Sequence, residues 1–109
     1  MPQTHKVLGQ TSPAATTLAS LYTVPSATQA IVSTVTVCNI AATATTYRIA
    51  VRPAGASIAT SQYLAYDAAL PANDTVTLTL GVTLAATDVV SVFAGSADVA
   101  FQAYGVEIT

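Results

Sequence analysis

Residues Thr28 to Ile40 read TQAIVSTVTVCNI. The segment is dominated by β-branched side chains, which lose rotamer freedom in a helix and pack well on a pleated surface. Thr and Ser interrupt it too often for a stripe repeating every 3.6 residues, so it predicts one long, largely buried and central strand. With such a strand at its centre, the rest of the chain must supply the sheets that cover it.

Working outward, Leu18 to Val24 predicts a shorter strand ended by Pro25-Ser26, because proline cannot donate to a ladder and starts turns well. Thr45 to Arg52 alternates, with Tyr47, Ile49 and Val51 on a core face and Thr46, Arg48, Ala50 and Arg52 on the other. Pro53-Ala54-Gly55 closes it. Ser61 to Leu70 carries the next apolar run, and Pro71-Ala72-Asn73-Asp74 turns the chain again. Thr75 to Leu80 is the plainest amphipathic strand, setting Val76, Leu78 and Leu80 against a ladder of Thr75, Thr77 and Thr79. Leu84-Ala85-Ala86 is too short for a helix and reads as a turn. Asp88 to Gly95 and Asp98 to Ile108 predict two further strands joined as a hairpin by Gly95-Ser96-Ala97-Asp98.

Seven to eight short strands with turn signals about every ten residues, and no helical stretch long enough to cover a sheet, define an all-β fold. The expected architecture is an antiparallel β-sandwich of jelly-roll or immunoglobulin-like type. At 109 residues, one domain spanning 1–109 is expected. Residues 1–12 are the least patterned and are expected to form an N-terminal arm.

Hydrophobic residues make up 52% of the chain and charged residues only 7%, against about 25% charged in an ordinary soluble domain. The polar surface must therefore come from Thr, Ser, Asn and Gln. A net charge of -2 gives little mutual repulsion, which points to a surface covered by partner subunits. A secreted, threonine-rich sandwich that is simply uncharged is the alternative. Three basic residues cannot form the clustered phosphate contacts of a nucleic-acid binder. No apolar run reaches the ~18 residues that a membrane helix needs. The N-terminal MPQTHK lacks an apolar signal core, so synthesis in a cytoplasm is expected. With one cysteine, Cys38, no internal disulfide can form.

Nucleophilic catalysis requires a nucleophile, a base and usually a group that orients the base. The single histidine, His5, falls in the expected arm, so no catalytic site is assigned. Cys38 is expected to be a small buried hydrophobe. Asp67, Asp74, Asp88 and Asp98 fall near predicted turns or strand ends, where backbone hydrogen bonding explains them better than a calcium site or an acid/base pair. No metal or cofactor is expected. The candidate interface residues are Arg48 and Arg52, which share a face and are suited either to gripping a neighbouring subunit's carboxylate or to ordinary solvation, together with Tyr22, Tyr63, Tyr66 and Tyr104, for which the rim of the core is the alternative place. Tyrosine offers a large rigid contact area with a polar tip.

The stretch Leu21-Tyr22-Thr23-Val24-Pro25, followed by Ile31 to Ile40 with its Val37-Cys38-Asn39 and then by Thr43 to Arg52, resembles small virion proteins of tailed bacteriophages. The likeness is to head-decoration and tail-associated β-sandwich modules, and it carries no site residues. It implies a non-enzymatic structural protein of the virion, assembled in the host cytoplasm. The first expectation is a capsid decoration or cement protein, homo-oligomeric with a trimer as the expected form, bound to the major capsid protein. The alternative is a tail-fibre, baseplate or collar module that attaches to the host or to other tail proteins.

Overall fold

A computed structural model describes residues 2–109, and within it eight strands pair into two four-stranded antiparallel sheets. In chain order they are β1 (Gln3–Thr11), β2 (Ala19–Thr23), β3 (Gln29–Asn39), β4 (Thr45–Arg52), β5 (Tyr63–Leu70), β6 (Thr75–Leu84), β7 (Val89–Ala94) and β8 (Val99–Ile108). The first sheet has the order β1-β8-β3-β6 and the second β2-β7-β4-β5. Strand β1 pairs with β8, β2 with β7, β3 with β6 and β4 with β5. The chain is thus one long ribbon, doubled back at the β4–β5 connection and wound so that every other connection crosses between sheets. That connectivity is the eight-stranded jelly roll, and it excludes the immunoglobulin-like alternative.

Strand β3 is central, flanked by β8 and β6, as its sequence predicts. Its inward residues are Ala30 and Val32, then Val35, Val37 and Asn39, all buried. The phase changes at Ser33, an extra residue opposite β8 that breaks the register between Val32 and Thr34. This bulge is why no clean alternation is visible in TQAIVSTVTVCNI: two alternating halves are spliced out of step. Leu8 interrupts β1 one step away along β8, so the two neighbours of β8 bulge on either side of Tyr104. Gly105 follows at the same place because a side chain there would collide with β3, a Cβ falling 1.9 Å from the Ile31 carbonyl oxygen.

The core lies between the sheets, with Val24, Val32, Val35, Val37, Ile49, Leu70, Val92, Val99 and Phe101 almost fully buried. Tyr47 is buried on the core face as expected, and its burial pushes its hydroxyl pKa up. Asn39 is the polar member. Its amide nitrogen donates to the carbonyls of Thr43 at 2.9 Å and Pro71 at 3.2 Å, and its oxygen accepts from Ala41 N–H at 3.0 Å. It therefore ties the end of β3 to the connections that lead into β4 and β6.

Three expectations are corrected. Strands β7 and β8 are no hairpin: they lie in different sheets, and residues 95–98 cross the end of the sandwich. A short glycine-containing link serves either connection, and only the strand partners decide which. The expected N-terminal arm is strand β1 from Gln3, paired along β8, with Met1 outside the described residues. Cys38 is half-buried on the outer face of the first sheet, between Thr75 and Ala100, rather than in the core. The Ser33 bulge puts it one step out of phase with Ala30 and Val32.

Candidate functional site

The sandwich presents two outer faces of opposite character. On the second sheet, alternation along β4 turns Arg48 and Arg52 outward. Arg48 stands opposite Phe93 of β7, and its guanidinium lies 4.1 Å from the Tyr66 ring centre and 4.2 Å from that of Phe93. Such a cation between two ring faces is attracted by both quadrupoles. Strand β5 bulges opposite Arg48, where Asp67 has a φ of 49°, and this turns the Asp67 carboxylate onto the guanidinium. Arg48 Nε donates to Oδ1 at 2.7 Å and Nη2 to Oδ2 at 3.3 Å. The bidentate pair holds the Asp67 carboxyl below the ordinary carboxylate range and raises Arg48. Tyr63 packs edge-on against Tyr66, with ring centres 4.9 Å apart.

Arg52, two repeats of the pleat further on, donates from Nε to Ser91 Oγ at 3.0 Å and from Nη1 to the Ala56 carbonyl at 3.4 Å. Both arginines therefore have hydrogen-bond partners within the chain. What this face offers is the exposed ring of Tyr66 and the exposed Leu64 beside it.

The outer face of the first sheet carries no Asp, Glu, Lys or Arg among the described residues. Strands β1, β8, β3 and β6 contain just Lys6 and Glu107 of those types, and the register puts both on the inward side, in line with Gly105 and Ala103. There they pair with each other, Lys6 Nζ lying 2.8 Å from Glu107 Oε1. The outward side bears paired threonines, Thr34 opposite Thr79 and Thr36 opposite Thr77. Beside them a shallow depression of ≈ 410 Å3 is lined by His5, Val7, Ile31, Ser33, Tyr104 and Val106, with Lys6 and Gly105 reaching its floor from the inward side. Gln10 and Tyr104 both bond to Gln102 in the same row.

The six candidate interface residues thus divide. Arg48, Arg52, Tyr63 and Tyr66 share the outer face of the second sheet. Tyr104 belongs to the opposite face. Tyr22 is buried, 7% exposed, and its hydroxyl donates to Glu107 Oε2 at 2.5 Å. Its burial and its bond to Glu107 push the hydroxyl pKa up, while Lys6 first and Tyr22 second hold the Glu107 carboxyl down.

The aspartates divide as well. Asp88 is a turn residue as expected, accepting from Ala54 N–H at 2.8 Å and Ala85 N–H at 2.9 Å. Asp74 accepts from Thr75 N–H at 2.8 Å. Asp67, expected at a turn, is the Arg48 partner at a bulge within β5. Phe93 was not singled out by sequence, since its role depends on β7 lying beside β4, which no local pattern reveals. Among the described residues no group of three His, Cys, Asp or Glu side chains gathers at one place. No protein-family model, curated protein or solved structure matches this chain.

Proposed function

We propose that this chain is a non-enzymatic structural protein of a tailed-phage virion, a capsid decoration or cement protein that binds copies of itself and the major capsid protein. The observation that carries the reading is the uncharged outer face of the first sheet, formed by four strands and covered with threonine, glutamine and aliphatic side chains. A free protein gains from surface charge. A subunit whose largest face is packed against neighbours does not, and charge there would cost desolvation. Four strands about 4.8 Å apart and some 33 Å long span roughly 600 Å2, somewhat less than the ~800 Å2 per partner of a standard stable interface. Contacts of that size are weak singly and add up when a subunit touches several shell proteins at once. The resemblance of the LYTVP and VSTVTVCN stretches to head-decoration modules supports the same reading.

The test is add-back. Shells lacking this chain are heated or diluted with and without the purified protein; the expected result is a saturable rise in shell disruption temperature, because a ligand of the assembled shell alone stabilises it by mass action. Binding without any shift, or no binding, contradicts the assignment. The tail-associated reading is favoured by one feature, the exposed Tyr66 and Leu64 beside Tyr63. It requires that Tyr66→Ala reduce host attachment while leaving shell stability unchanged.

A further inference from the structure

We propose that strand β6 pairs edge to edge with β6 of a second copy of this chain, antiparallel about a twofold axis, joining two first sheets into one continuous eight-stranded sheet. A four-stranded sheet leaves two edges, so the sandwich has four, and an unprotected edge is a template for pairing. Three are blunted. Strand β2 has five residues and bulges at Leu21. Strand β5 is interrupted twice and carries Asp67 clamped by Arg48. Strand β1 carries Lys6 and bulges at Leu8.

Strand β6 differs from all of them. It has ten residues without a charge or a proline, and Thr75 to Thr79 run in unbroken register with β3. Its break comes later, at Gly81, where φ is 61°. Its inward side is also incompletely covered: Val76, Leu78, Leu80 and Val82 pack on the core yet stay half-buried, at the margin that a continuing sheet would close.

The sequence names the occupant. In Thr75-Val76-Thr77-Leu78-Thr79-Leu80 every odd position is threonine and every even one aliphatic. An antiparallel pairing with itself, centred on Thr77 or Leu78, sets threonine opposite threonine outside and Val or Leu opposite Val or Leu inside. A one-residue slip would put threonine on the apolar side. Contacts between identical patches close at two subunits, so the unit is a dimer and not the trimer that the decoration resemblance implies. The proposal stands independently of the virion reading, because it concerns the free protein.

The experiment is light scattering on the full chain eluting from a sizing column, with hydrogen exchange of the β6 amides at low and high protein concentration. The expected mass is twice 11.0 kDa, with Thr75 to Leu80 gaining protection as the dimer forms. Thr77→Lys with Thr79→Lys, which sets like charges against each other across the axis, is expected to give a folded monomer, whereas Thr36→Lys on the central strand leaves the dimer intact. A monomeric wild type overturns the proposal, as does a trimer. A dimer that survives the double substitution, or one lost equally with Thr36→Lys, also overturns it. Should the double variant fail to fold, the concentration-dependent protection of wild-type β6 decides alone, and unchanged exchange there refutes the pairing.

Discussion

Asn39 shows how a single polar side chain can hold two connections in a core that is otherwise apolar. Its amide bonds the Thr43 and Pro71 carbonyls and its oxygen the Ala41 N–H from a side chain that is itself buried, so Asn39→Ala is expected to cost about 1–2 kcal/mol in denaturant unfolding. Asn39→Leu, of similar bulk, should cost no less. Gly105→Ala should be worse than its one added methyl suggests, because the Cβ meets backbone and not a movable side chain. Glu107 contributes to the acid response, as does Asp67 beside Arg48. The Glu107 carboxyl is held below its ordinary 4.5 in the folded state, so its contribution is whole above that value and is lost as pH falls through the lower folded value. The melting temperature of Glu107→Gln is accordingly expected to lie below wild type at neutral pH, with the gap closing on acidification. Of Asn39, Gly105 and Glu107, sequence reading marked none. Asn39 looked like part of an apolar strand, and Glu107 finds Lys6 and Tyr22 only through pairings between distant parts of the chain.

At the level of elements, the strands were legible because their side chains alternate or are β-branched. Thr75 to Leu80 and Thr45 to Arg52 declare their inner faces residue by residue. What escaped was phase. The Ser33 bulge divides β3 into two halves, and the same step carries Cys38 outward. Deleting Ser33 should therefore remove the bulge and splice Ala30-Ile31-Val32 to Thr34-Val35-Thr36 in one alternation, leaving Val35, Val37 and Asn39 inward, and the expected outcome is a retained cooperative thermal unfolding transition. Replacing Ser33 by Ala keeps the count and loses one hydrogen bond to the Tyr104 carbonyl, an exposed contact worth well under 1 kcal/mol. Loss of cooperative melting in the deletion variant would refute this account of β3. The β7–β8 link was misread for a related reason, since turn chemistry reports that the chain reverses and not which sheet it joins next.

For the whole molecule, the two-sheet class followed from composition and punctuation, while the jelly-roll winding did not, because strand partners lie far apart in sequence. Strand β1 pairs with β8 and β2 with β7, so most stabilising contacts close long loops before they form. Refolding is expected on the millisecond-to-second scale typical of non-local all-β topologies, measurable by stopped-flow dilution from denaturant. Two faces of opposite character also emerged at this scale. Of the arginines and tyrosines predicted as an interface, Arg48, Tyr63 and Tyr66 contact one another on the second sheet, and the proposal rests on the face least marked by its residues, an array rich in threonine, glutamine and aliphatic groups. The measurement that tests this most directly is the number of copies of the chain per purified virion, by quantitative mass spectrometry against the major capsid protein. Hundreds of copies are predicted for a protein that decorates the shell; a few dozen or fewer, or none, would contradict it.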